Sequence, residues 1–275
     1  THLVPHPRRS GRKPAPTWGR LSVFAGLFLV FALIETLAPR RARVQPRQGR
    51  WITNIGFTLL NTLALRALSV ALPLLAVGAA LDAWKMGWGL FNQLNWLIWV
   101  EIVLSILLLD FAIWAQHLIT HKVPLFWRFH RVHHADRDMD VTTAVRFHPV
   151  EILASMLLKI GLVYLLGPQA LAVLLFEVLL NGTALFNHAN IRLPRAVDRI
   201  VRLVLVTPDM HRVHHSVQRA EHDSNFGFAL SIWDRIFDTY VSQPAGGHDG
   251  MKVGLQWQDE RPARLGWALW LPFRR

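Results

Sequence analysis

Long apolar blocks alternate with short basic ones along this chain. Residues 21–38 are apolar apart from Glu35, and residues 52–81, 94–119, 150–166 and 168–187 form four further apolar stretches. A membrane-crossing helix needs about 20 residues, so these lengths predict spans. Gly167-Pro168 joins the last two stretches and is a turn signal, which makes them an antiparallel hairpin. Residues 52–81 and 94–119 pair as another hairpin across a short connection at 82–93, and Pro73 is expected to bend its first arm. Residues 21–38 follow a basic flank, as a signal peptide would, but no small-residue cleavage pattern stands near Ala38-Pro39, so they read as a first membrane helix. Arg192, Arg195, Arg199 and Arg202 recur at spacings of three and four, predicting an amphipathic basic helix over 190–206 at the membrane surface. The expected fold is all-α and integral to a membrane: two transmembrane helical hairpins, an N-terminal apolar helix and a helical cap.

Composition strengthens this picture. The chain is 52% hydrophobic and only 17% charged, against about 25% charged in soluble domains. Its formal charge of +12 sits largely in flanks and loops, among them Arg40, Arg41, Arg43, Arg47 and Arg50. No nucleic-acid motif frames these residues, so the basic balance points to anionic lipid rather than nucleic acid. Both hairpins begin and end on the face that carries loop 39–51, which the positive-inside rule makes cytoplasmic. Three regions follow: a basic disordered arm (1–20), a membrane domain with a histidine-bearing cap (21–243), and a linker with an interfacial tail (244–275). Lys159 and Glu177 lie equally far from the hairpin tip on opposite arms. An unpaired charge at that depth costs a few kcal/mol, so they are expected to face each other.

The candidate chemistry lies in histidines. The word His130-Arg131-Val132-His133-His134 returns letter for letter as His211-Arg212-Val213-His214-His215, and His117 and His121 precede it at a spacing of four. Positions i, i+3 and i+4 share a helix face, so each cluster aims imidazoles at a common point. The chain has no cysteine, which excludes disulfides, thiolate metal sites and cysteine-held iron–sulfur clusters. Eight or nine nitrogen ligands are too many for one ion and suit two. Imidazole accepts zinc, iron, copper or nickel, so the ligand type leaves the metal open. His2, His6, His222 and His248 lack such spacing and read as ordinary histidines. A pH sensor would not need the repeated geometry.

The order HxxxH (117–121), HxxHH (130–134) and HxxHH (211–215) resembles the fatty acid hydroxylase/sterol desaturase superfamily of membrane di-iron oxygenases. Phe126-Trp127-Arg128-Phe129, Arg146-Phe147-His148-Pro149 with Glu151, and Asn225-Phe226-Gly227 followed by Trp233-Asp234-Arg235-Ile236-Phe237 fit its pattern. The resemblance covers about residues 50–240. It implies His117, His121, His130, His133, His134, His211, His214 and His215 as metal ligands, with His188 as a ninth. Some members carry a second histidine four positions before the ninth, where this chain has Ala184. Asp110, His148, Asp209 and Asn225 are candidates for fixing the imidazoles by hydrogen bonding. The implied cofactors are two iron ions, which zinc can replace in purified protein, with O2 as co-substrate. The implied reaction is hydroxylation or desaturation at a C–H bond of a fatty acyl, sterol, carotenoid or ether lipid. A separate electron donor (ferredoxin, cytochrome or reduced pterin) would dock near Arg137, Arg212 and Arg219. The location implied is a bacterial inner membrane or an equivalent. The competing expectation is a non-redox membrane metalloprotein, such as a zinc-dependent lipid hydrolase or a metal carrier.

Overall fold

A computed structural model describes residues 17–71, 75–94 and 97–274. The arm at 1–16 with His2 and His6, and Pro73 with its expected bend, lie outside the described residues. The described residues are helical and contain no strand: α1 (Thr17–Leu37), α2 (Arg47–Ala71), α3 (Ala76–Met86), α4 (Ile98–Lys122), α5 (Pro124–His134), α6 (Pro149–Leu166), α7 (Ala170–His188), α8 (Arg195–Val201) and α9 (Pro208–His214) form the frame. Among them α4, α6 and α7 are long and apolar enough to cross a membrane by length and composition.

The first hairpin departs from its expected outline. Its outward arm starts five positions early, at Arg47, and ends at Ala71; a separate helix, α3, occupies part of the expected connection. The face Ala76, Ala79, Ala80 and Ala83 is buried, and its first three alanines pack on Val163, Val173 and Phe176 of the second hairpin. Small side chains let helices approach closely. At the tips Gly89 and Gly167 meet with positive φ, and a Cβ on Gly89 would lie 2.3 Å from the Gly167 nitrogen; only glycine fits there. The basic helix expected over 190–206 is shorter, 195–201, and gives way to turns.

The polar outliers in the apolar blocks have partners. Lys159 Nζ lies 3.7 Å from Glu177 Oε1, bridging α6 and α7 as expected. Lys159→Met should lower the thermal midpoint in detergent more than Lys159→Met/Glu177→Leu does, because the single change strands a carboxylate at mid-membrane; equal midpoints would refute the pairing. Glu35 is fully buried. It accepts hydrogen bonds from the Val141 and Asn190 amides at 3.0 and 3.1 Å and pairs with Arg47 at 3.0 Å. It thereby fixes the end of α1 beside the end of α7. The C-terminal segment, expected as a linker and interfacial tail, packs Leu255, Ala268 and Leu271 against Phe57, Val132 and Ala135, while Trp270 and Phe273 stay exposed.

Candidate metal centre

Four elements deliver nine imidazoles to the end of the bundle at which α4 and α7 finish. His117 and His121 close α4, His188 closes α7, and the two repeated words form the last turn of α5 and most of α9. The short helices are set by their caps. Pro124 starts α5, and the Thr207 hydroxyl accepts from the Met210 amide at 3.4 Å with Pro208 at the first helical position of α9. That combination caps a helix and fixes its first turn.

The rings form two groups. His117, His121, His130, His134 and His214 make one; His133, His188, His211 and His215 make the other. Within each group one ring nitrogen per residue lies within 4.8 Å of all the others. The groups touch where His134 and His215 stack, ring centroids 4.6 Å apart. Every member is at most 9% exposed. Burial first, and then the repulsion of neighbouring rings, pushes the imidazoles of His133, His134, His211, His214 and His215 well below their usual range. At neutral pH they are uncharged and each keeps a free lone pair.

The outer nitrogens show which way those lone pairs point. The Nδ1 atoms of His117, His133, His188 and His214 face the carbonyl oxygens of Phe226 (2.7 Å), Arg146 (3.2 Å), Ala184 (2.7 Å) and Ser224 (2.6 Å). His130 Nδ1 faces Glu151 Oε1 at 2.6 Å. A carbonyl only accepts, so Nδ1 of His117, His133, His188 and His214 must carry the proton, which leaves Nε2 bare when the ring is neutral. Yet His117 Nε2 lies 3.0 Å from His130 Nε2, and His188 Nε2 lies 3.1 Å from both His133 Nε2 and His211 Nε2. For His133 and His188, whose Nδ1 protons are both taken by carbonyls, bare lone pairs at that distance repel unless a cation sits among them. His121 Nε2, His134 Nε2, His214 Nε2 and His215 Nε2 are also buried with no hydrogen-bond partner. The donor set therefore fits metal ions that accept nitrogen ligands, held by rings whose tautomer the surrounding carbonyls fix.

The four groups expected to fix the imidazoles do not bond to metal-facing rings. Asp110 Oδ2 accepts from Trp233 Nε1 at 2.8 Å and the Leu230 amide at 3.3 Å, tying the loop after α9 to α4. His148 caps α6, its Nδ1 accepting from the Val150 amide. Asp209 pairs with Arg212 and Arg40. Asn225 has φ +50°, a conformation asparagine tolerates, and its side chain holds the Met210 and Val241 carbonyls at 3.0 and 2.8 Å.

Other residues do that fixing. Glu151 is the one carboxylate bonded to a ring of either group among the described residues. Asp234 gathers the amides of Phe226 and Gly227 at 2.8 and 2.9 Å and Trp114 Nε1 at 3.0 Å, which aims the Phe226 carbonyl at His117. Buried Arg146 clasps the Val132 carbonyl at 2.8 Å, Asn54 at 2.9 Å and the Pro262 carbonyl at 2.7 Å, and its own carbonyl meets His133. Arg146, Glu151 and Asp234 all stand in segments that fit the family pattern, but a linear reading gave none of them this role. With His130 as a candidate ligand, Glu151→Ala is expected to weaken metal retention by about 10–100-fold with Glu151→Gln intermediate, read as metal left after dialysis against a chelator. Unchanged retention would remove Glu151 from the site.

Two cavities flank the centre. One of about 380 Å³ opens among the membrane helices, with His117, His130 and Ala184 on its wall. It includes Lys159 and Glu177, about 12 Å deeper along α6 than Glu151 at 1.5 Å per residue. Phe147, stacked on His133 at 4.3 Å, and Phe228, 4.8 Å from His117, line the cavity beside the rings. The other, about 490 Å³, lies beside His121 and is lined by Trp127, His222, Lys122, Arg131 and Arg219.

Comparison with known proteins agrees with the geometry. The fatty acid hydroxylase family model matches residues 102–239, and the chain belongs to that family. It is 27% identical over 225 residues to the ornithine lipid hydroxylase OlsE of Rhizobium tropici, covering 81% of this chain and 67% of that protein. It is 30% identical over 139 residues to the alkylglycerol monooxygenase of Homo sapiens, covering 49% of this chain and 29% of that protein. It is 24% identical to a cholesterol 25-hydroxylase-like protein of Danio rerio, covering 82% of this chain and 89% of that protein. The chain thus spans under a third of the human monooxygenase. No solved structure matches it. By name these relatives are hydroxylases and monooxygenases, that is, oxidoreductases, and with its apolar helices the chain is an integral membrane protein.

Proposed function

We propose that this chain is an O2-dependent hydroxylase or desaturase of a lipid C–H bond. His117, His121, His130, His134 and His214 would hold one iron, and His133, His188, His211 and His215 a second. The reading is carried by nine buried imidazoles in two groups, with the bare Nε2 atoms of His133 and His188 opposed at 3.1 Å, beside a cavity among membrane helices. The relatives' names favour a redox metal over zinc. When bound, the two irons supply activation of O2.

The overall reaction balances as R–H, O2, two electrons and two protons giving R–OH and water; loss of a second hydrogen gives the alkene and a second water instead. The chain's own part is positional. Glu151 orients His130 and the backbone carbonyls orient His117, His133, His188 and His214, Phe147 and Phe228 flank the rings, and the membrane cavity aligns the lipid below His117 and His130. Basic residues 40–50 at the histidine end support a cytoplasmic site in a bacterial inner membrane or an equivalent.

Electrons would come from a separate carrier such as a ferredoxin or cytochrome. Of the arginines expected to dock it, Arg212 is buried against Asp209 and Arg137 lies 3.8 Å from Glu260. Arg219 is exposed and rims the groove in which Trp127 stacks on His222, centroids 5.4 Å apart, with His121 4.9 Å from Trp127. Lys122 and Arg131 complete a basic rim suited to an acidic donor.

The function is tested by lipid profiling of cells carrying the protein, no protein, or His133→Ala. An oxidised lipid present only with the native chain is expected. Identical profiles in all three would overturn the proposal.

A further inference from the structure

A third cavity, about 690 Å³, has none of the nine grouped histidines on its wall and lies between α8, the start of α9 and the loops at 40 and 243–249. Its walls carry Arg40, Arg192, Arg195, Arg199 and Arg202 with Asp198, Asp209 and Asp249. Arg40 pairs with Asp209 and Asp249 at 3.3 and 2.6 Å, and Arg202 with Asp198 at 2.5 Å. Asp209 also pairs with Arg212, so the three acidic groups are engaged by Arg40, Arg202 and Arg212, and Arg192, Arg195 and Arg199 are left in excess.

Donors inside the cavity lack acceptors. Arg202 is 7% exposed and His248 6%. Arg202 Nε and both ring nitrogens of His248 are buried without a hydrogen-bond partner; the nearest carboxylate oxygen, Asp209 Oδ2, is 3.7 Å from His248 Nε2, beyond hydrogen-bond reach. Burial brings the His248 imidazole down to about 4, so it is neutral at physiological pH and still offers one N–H. Buried donors without acceptors are costly, and an oxyanion would accept from Arg202 Nε and from the single His248 N–H.

The surroundings say where that oxyanion comes from. Val197 and Ile200, three positions apart on α8, are 44% and 68% exposed, and Leu203 and Val204 just beyond are 61% and 60% exposed. An apolar surface of this kind beside arginines suits the acyl boundary of a bilayer, with the guanidinium groups at headgroup depth. Guanidinium forks match phosphate geometry.

We propose that this cavity is a binding site for the phosphodiester headgroup of an anionic membrane lipid, held by Arg195, Arg199, Arg202 and His248 and separate from the substrate cavity. Its ligand is a resident lipid that anchors α8, and the α9 word behind it, to the membrane surface.

The test is native mass spectrometry of the delipidated full chain, titrated with phosphatidylglycerol, phosphatidylcholine or inorganic phosphate. The expected result is retained phosphatidylglycerol and at least about tenfold weaker retention in Arg195→Gln/Arg199→Gln, since each lost juxtamembrane arginine costs about 1 kcal/mol. Arg128→Gln/Arg219→Gln removes the same charge elsewhere and should keep wild-type retention. Equal retention of phosphatidylcholine, equal loss in both double variants, or displacement of the lipid by inorganic phosphate alone would each overturn the proposal. The surface variants leave the buried Arg202 and His248 in place, so a folded protein is available for the comparison.

Discussion

His133→Ala should leave a folded protein that has lost metal and turnover together, with turnover down by more than about 100-fold. Loss of an outer partner alone typically costs 10–100-fold, and His133 is itself one of four rings in its group. Its Nδ1 is held by the Arg146 carbonyl and its Nε2 faces His188, so no neighbouring side chain replaces it. His148→Ala is the matched control. His148 lies outside both groups, and that variant should retain its metal. Metal content per chain, measured on both variants after anaerobic purification, decides the point; equal loss in the two would show that the grouping does not define the site.

Arg50→Met should cost about 3–5 kcal/mol, the usual penalty for stranding buried charge. Arg50 is fully buried and donates to Asp136 at 2.6 and 2.8 Å, to Asp140 at 2.6 Å and to the Asp138 carbonyl at 2.7 Å. This cluster joins the start of α2 to the loop directly after the first histidine word. Burial raises the Asp136 carboxyl, but Arg50 outweighs it and leaves the group at about 2. The folded value is below the unfolded carboxylate value of about 3.9, so the contribution is present above that pH and fades as pH falls toward 2. In Arg50→Met the deficit should accordingly be large at pH 7 and shrink in acid. Thermal unfolding in detergent at several pH values reads this directly, and a midpoint within a degree or two of wild type at pH 7 would contradict it.

The sequence made much of the site legible because a helix converts spacing into a shared face. His117 and His121, and both HRVHH words, were visible for that reason. Hairpins that return to one side explain how words 81 residues apart meet. His188 came from the resemblance to the family rather than from spacing. Partition into groups was not legible: adjacent His133 and His134 go to different groups, a consequence of their 100° separation on α5 that only the packing of α4, α7 and α9 resolves.

The supporting shell was harder still. Asp110, Asp209 and Asn225 stand near histidines in sequence or on a helix stripe, but they hold loops and arginines. The rings are fixed mainly by backbone carbonyls, which every residue possesses and no residue type announces. Helix α3 was missed because its alanines continue the apolar run of the preceding span, and small residues against neighbouring helices look the same as a lipid-facing stretch in one dimension. Charges were read more reliably. Lys159 and Glu177 met because an unpaired charge in that setting has few alternatives, and Glu35 found buried donors for the same reason.

Mössbauer spectroscopy with iron quantification on anaerobically prepared native protein tests the central claim most directly. The account predicts two irons per chain in coupled, nitrogen-ligated sites, both lost on His133→Ala. A protein that folds, turns over lipid and contains a single isolated iron, or none, would contradict it.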